Sequence, residues 1–234
     1  MHLRSEYPGK FIFSYQDNSV SNDLPLSKKM QIDMHRMLLS ILKKYGDVVL
    51  FLKPKRERLL NIALKAVPEL QDYIHRGRIR IFFGETPGTR AVPAEIGIAS
   101  DLVVGLCLST VAAECFFAGT VAFHADLIGF VNNGFSNRGL GKVVFRDVAS
   151  LEKAITKRIV GEDRLSYDDY REYYYGLDPF QDEKTSQRVG FLMKKMQEGL
   201  EQGSSRSEIV SRIKKEYDTY LSPRHLNPGH LIHK

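Results

Sequence analysis

Residues 99–126, ASDLVVGLCLSTVAAECFFAGTVAFHAD, constrain the fold of this chain more than any other stretch. Asp101–Leu106 is a short apolar run that suits a buried strand, and Ser109–Thr110 interrupts it. Val111–Ala118 has the small, apolar texture of a buried helix, Gly119 stops it, and Thr120–Phe123 begins another strand. A strand that passes through small hydroxyl residues into a helix leaves several backbone N–H groups without helical partners. Those groups and the helix dipole suit a phosphate or another anion. The plainer reading is that Ser109 or Thr110 only caps the helix. Spacing alone leaves both readings open.

The flanking sequence repeats the alternation. Lys10–Tyr15 is aromatic-rich and alternating, and a polar loop, Gln16–Pro25, follows it. Ser27–Tyr45 carries Met30, Met34, Met37, Leu38 and Ile41 at helical spacing, with Gly46 in the usual left-handed cap position. Asp47–Leu52 is a continuous apolar run that ends at Lys53-Pro54-Lys55-Arg56. Arg58–Val67 and Pro68–His75 predict a broken helix, Arg78–Phe83 a strand, and Gly84–Thr89 a turn-rich loop. Val92–Ile98 predicts a short helix with Pro93 in its first turn. Asp126–Gly141, rich in Gly and Asn, predicts a long loop. Lys142–Phe145 predicts a last strand and Ala149–Arg158 a helix.

Strands alternating with helices predict an α/β fold, a doubly wound, mostly parallel Rossmann-like sheet. Beyond residue 160 the strand signals cease. Tyr167–Tyr175, Glu183–Gln202 and Arg206–Tyr220 predict C-terminal helices. The pattern divides the chain into a polar, turn-like segment at 1–9, a Rossmann-like domain at 10–160, a helical extension at 161–221 and a flexible tail at 222–234.

Composition excludes several classes. No apolar run approaches the roughly 18 residues of a membrane-spanning helix, and the N-terminus lacks a basic-then-apolar signal pattern. Cys107 and Cys115 lie in apolar sequence with no ligand partner at metal spacing, so two buried thiols in a cytoplasmic chain are expected and zinc is not. The net charge is +6, spread along the chain without a nucleic-acid-binding signature, so no nucleic-acid partner is expected. A basic balance leaves phosphorylated ligands and peripheral contact with an anionic membrane open.

There is no Gly-rich dinucleotide fingerprint, no GxxxxGK[ST] loop and no GxSxG elbow. What remains is polar residues at predicted strand ends: Gln16–Asn18, Lys53–Lys55, Glu85, Ser109–Thr110, Glu114 and His124–Asp126. In an open α/β sheet those ends share one edge.

Lys53-Pro54-Lys55, the central unit and DPFQDEKTSQRVGFL (Asp178–Leu192) together resemble the carboxyl-terminal half of a bacterial surface-polysaccharide biosynthesis protein. The parent architecture is the two-Rossmann-domain glycosyltransferase fold, GT-B, which also includes teichoic-acid polymerases and nucleotide-sugar 2-epimerases. The resemblance implies that residues 10–160 form a nucleotide-sugar-binding domain that grips the donor and that residues 1–9 correspond to the interdomain linker. Ser109 and Thr110 would hold the diphosphate, without a metal or other cofactor. Glu114 would bind the ribose hydroxyls; the alternative is an acid complementing the helix dipole. Lys53 and Lys55 would neutralise phosphate charge; the alternative is a solvated basic turn. Lys55 stands where teichoic-acid relatives carry a histidine. Phe83 to Glu85 would lie beside the base. The resemblance also implies a second Rossmann domain or subunit, against which the helices from Glu183 to Tyr220 would pack. An epimerase-like reaction, drawing on His124 and Asp126, and a non-catalytic partner-binding module are the alternatives.

Overall fold

The computed structural model describes residues 3–18, 27–83, 92–130, 133–178 and 184–220. Two compact units result, Met1–Tyr174 and Tyr175–Lys234. The boundary falls fourteen residues beyond 160, because the helix at Tyr167–Tyr174 packs into the first unit.

In the first unit six strands form one sheet: β1 (Phe11–Gln16), β2 (Val48–Lys53), β3 (Ile79–Ile81), β4 (Leu102–Leu106), β5 (Ala122–Ala125) and β6 (Val144–Phe145). Their spatial order is β3-β2-β1-β4-β5-β6, and every pairing is parallel. The chain therefore winds outward one way from β1, returns, and winds the other way from β4. That reversal leaves a crevice at the carboxyl ends of β1 and β4, where helices depart to opposite faces. Register puts Gln16 beside Lys53 on one side and Gly105 on the other, with His124 one strand further.

The helices of this unit are α1 (Lys28–Lys44), α2 (Glu57–Ala66), α3 (Leu70–His75), α4 (Pro93–Ile98), α5 (Thr110–Phe117), α6 (Gly134–Gly139), α7 (Val148–Ile159) and α8 (Tyr167–Tyr174). Strand alternation divides the core. Phe13, Tyr15, Leu50 and Leu52 join the larger cluster, where Met34, Leu38 and Ile41 of α1 also lie. Ile12, Val49 and Phe51 turn the other way, to Ile96 of α4 and to Leu3 and Tyr7. The segment expected as a linker is thus seated on the sheet. Tyr7 meets Phe51 edge-on at 5.4 Å, and Arg4 pairs with Asp101 at 2.6 Å.

Four local expectations need correction. α1 starts where predicted, with the Ser27 hydroxyl accepting the Met30 N–H, but it ends through Tyr45 in extended backbone rather than through a left-handed Gly46. β3 and β6 are shorter than their apolar runs because few of their residues find a parallel neighbour. The stretch expected as loop between Asp126 and Gly141 contains α6. Asn133 starts that helix by accepting the N–H groups of Phe135 and Ser136, and the surrounding glycines hide it from periodicity. The loop 84–89 and the tail 222–234 lie outside the described residues.

The second unit is a pair of packed helices, α9 (Thr185–Glu201) and α10 (Arg206–Tyr220). Lys195 reaches Glu216 at 3.0 Å, and Arg212 donates to the Gln202 side chain at 3.0 Å. No described helix is long and apolar enough to cross a membrane.

Candidate functional site at the sheet switch point

The crevice at the switch point is a cleft of about 880 Å³. Its walls come from the ends of β1, β2, β3 and β4: Gln16–Asn18, Lys53–Glu57, Phe83, and Leu108–Val111, closed by Pro93.

The wall after β4 depends on two local features. Cys107 has φ +62°, a left-handed conformation that costs a non-glycine residue about 1–2 kcal/mol. Its N–H donates to the Ala125 carbonyl at 2.9 Å, which fixes the turn against β5. Gly105 supplies the second feature. A Cβ there would lie 2.6 Å from the Ala112 Cβ and 2.9 Å from the Ser109 Oγ, so only glycine lets α5 lie this close to β4. At the far end, Gly119 takes φ +103° and stops α5 as expected.

Ser109 occupies the cap position of α5 in extended backbone, but its hydroxyl makes no capping bond. The oxygen is buried against Gly105 without a hydrogen-bond partner. The side-chain cap that the sequence allowed is therefore not made, and the first amides of α5 take nothing from Ser109. Thr110 is exposed beside it.

The opposite wall is basic. Lys53 closes β2, and Lys55 and Arg56 follow in the turn to α2. The Lys55 ammonium donates to the Asn18 side-chain oxygen at 3.1 Å. Beneath it lies Asp17, only 8% exposed, whose carboxylate accepts the Lys55 backbone N–H. Burial pushes the Asp17 carboxyl up to about 7, against the downward pull of the Lys55 amide and of the Lys55 and Lys53 charges. At the floor, Gln16 is buried, with its amide nitrogen 3.4 Å from the Pro93 carbonyl and from the Cys115 sulfur. Both thiols are free and buried, which pushes Cys107 up to about 11 and Cys115 to about 12 and keeps them unreactive.

The structure thus brings Lys53, Lys55, Ser109 and Thr110 together. Glu114 is exposed one turn further along α5, outside the lining residues. His124 and Asp126 lie elsewhere, sealed at the end of β5. The Tyr174 hydroxyl donates to the Ala122 carbonyl at 2.7 Å and faces the His124 Nε2 at 3.2 Å. Tyr174 itself stacks on Phe116 with 3.7 Å between ring centres. Burial pushes the His124 imidazole down to about 4. Asp126 accepts the Ser136 hydroxyl at 3.1 Å and the Phe130 N–H, and so ties the chain after β5 to α6. Glu85 lies outside the described residues. Asp17 stands within the strand-end stretch Gln16–Asn18, and the sequence assigns it no role of its own. Its one signal is its position, a carboxylate immediately after an apolar strand.

The sequence matches no family model and no curated protein. Solved structures do resemble it. MnaA from S. aureus, in a co-structure with UDP, superposes with a TM-score of 0.58 at 13% identity, over 85% of this chain and 49% of that one. The fold is a GT-B-type Rossmann-like domain. A Listeria monocytogenes structure assigned as a UDP-N-acetylglucosamine 2-epimerase gives 0.50 at 12% identity, over 72% of this chain and 41% of its own. The N-terminal domain of Candida albicans trehalose-6-phosphate phosphatase gives 0.51 at 11% identity, over 74% and 39%. At these identities the likeness is one of fold. This chain spans under half the length of each of those three proteins.

Proposed function

We propose that this chain binds the nucleotide-sugar donor of a glycosyltransferase-like protein in bacterial surface-polysaccharide assembly. One observation carries the reading: the cleft sets Lys53, Lys55 and Arg56 across from the uncapped start of α5. A diphosphate between those walls meets cations on one side and backbone amides with the helix dipole on the other. Thr110 adds a hydroxyl donor, and Ser109 adds a second by rotating its oxygen away from Gly105. Phe83 gives the base an apolar edge, with Glu85 assigned to the same end. Glu114, one turn along α5, is assigned to the ribose hydroxyls. The co-structure of MnaA with UDP supports this reading through the shared fold.

A second Rossmann domain, on the same polypeptide or on another subunit, would supply the acceptor side. Donor isomerisation is the second reading, favoured by the fold of the Listeria epimerase. It requires acid and base groups near the sugar. The carboxylates among the described lining residues are Asp17 and Glu57, and His124 and Asp126 offer that reading no support from their buried positions.

The test is a thermal-shift and calorimetric screen against UDP, GDP, CDP, CMP and their sugars at low and moderate salt. One nucleotide should raise the unfolding midpoint at both salts, by an amount that follows the ratio of ligand concentration to Kd. Glu114→Ala should weaken that binding by about 1–3 kcal/mol with little loss of stability, since the side chain is exposed. Silence from every nucleotide refutes the reading and favours a module that binds a partner instead.

A further inference from the structure

A carboxylate is out of place at the bottom of an anion site, and the donor reading leaves Asp17 without a task. Asp17 follows β1 directly and is nearly enclosed. Its partners are the Lys55 amide at one oxygen and the charges of Lys53 and Lys55 above it. The groups that face it from neighbouring elements can be named. Lys53 comes from β2, and Lys55, Arg56 and Glu57 from the turn into α2. Tyr15 lies behind it on β1, with its hydroxyl buried and its pKa pushed upward. The described lining of α4 and α5 presents no charge: Pro93, Ser109, Thr110 and Val111.

An incoming anion therefore competes with Asp17 for the same lysines. Once those lysines turn to the ligand, a charged Asp17 is left buried beside a second negative group. Two like charges in one enclosed site do not both persist, and the cheaper outcome is protonation of the carboxylate.

We propose that Asp17 links anion binding in this cleft to a proton: ligand entry raises the proton occupancy of the Asp17 carboxylate, drawing a fraction of a proton from solvent for each ligand bound. The neutral acid then donates a hydrogen bond to the bound anion in place of repelling it. The free group already titrates near neutrality, at about 7, so the exchange falls in the working range. This deepens the donor reading and rests on it.

UDP-glucose is the suitable probe, because its diphosphate keeps a constant charge between pH 6 and 8. Calorimetry in PIPES and in imidazole, buffers of different ionisation heat, reports the protons taken up. If binding raises the Asp17 pKa by about one unit, affinity at pH 8 is about fivefold weaker than at pH 6, and uptake peaks at about half a proton near pH 7.5. Asp17→Asn should bind with equal affinity at both pH values and take up no proton. A carbon-13 titration of the wild-type Asp17 carboxyl, with and without UDP-glucose, reads the same midpoint directly if that variant fails to fold. Equal heats in the two buffers, an unmoved midpoint, or uptake that persists in Asp17→Asn overturns the proposal while donor binding stands. Absence of binding at every pH by UDP-glucose and by the GDP-, CDP- and CMP-sugars alike overturns both.

Discussion

Replacing Asp17 with asparagine removes a buried charge and keeps the oxygen that the Lys55 N–H donates to. The consequence for the ligand-free protein follows from where the carboxyl titrates. Its pKa rises from an ordinary 3.8 to about 7 on folding. Between those values the folded protein holds the proton and the unfolded chain does not, so stability falls as pH rises through the window and is flat above it. A shift of about three units corresponds to about 4 kcal/mol, at 1.36 kcal/mol per unit. Asp17→Asn escapes that fall. Urea unfolding of both proteins at pH 4, 5, 6, 7 and 8 should show the variant gaining on the wild type by about 3 kcal/mol from pH 4 to 7 and by only a few tenths of a kcal/mol more by pH 8. Comparing the two proteins cancels His124, which pulls the other way below pH 6.5. A difference that does not vary with pH would refute the reasoning. So would a wild type that gains on the variant as pH rises, since the lysines would then outweigh burial.

The other predictions concern the wall after β4 and the core behind it. Ser109→Ala should leave stability unchanged or slightly raised in thermal melts, because the hydroxyl is buried without a partner; a loss near the 1 kcal/mol of a helix cap would restore the capping role. Gly105→Ala should cost about 1–3 kcal/mol of unfolding free energy and lower donor affinity with it, since its Cβ would lie 2.6 Å from that of Ala112. His124 titrates at about 4 when folded and near 6.5 when unfolded. It should therefore remove about 3 kcal/mol as pH falls from 6.5 to 4, a loss that His124→Gln lacks in the same urea series.

Much of the architecture was legible in the chain. Continuous apolar runs such as Val48–Leu52 require burial on both faces, and only a parallel sheet between helices provides it. The alternation with helices sets the class, and positions such as Met34 and Ile41 put one face of α1 in the core. Lys53, Lys55, Ser109 and Thr110 were also legible as strand-end residues, because strand ends in such a sheet converge by topology. Local texture could not supply strand order, register or burial. His124 and Asp126 stand at a strand end as well, but the packing of α6 and α8 seals them, and that depends on residues up to fifty positions away. The left-handed turn at Cys107 and the idle hydroxyl of Ser109 exist only once α5 lies on Gly105. Asp17 shows the division most plainly. Its sequence states only that a carboxylate follows a strand. The enclosure and the two lysines that set its charge come from β2 and the turn after it, brought alongside by register. Sequence determined which residues reach the edge of the sheet, because periodicity is local. Tertiary structure decided which of them meet, because burial and charge are sums over neighbours that the chain holds far apart.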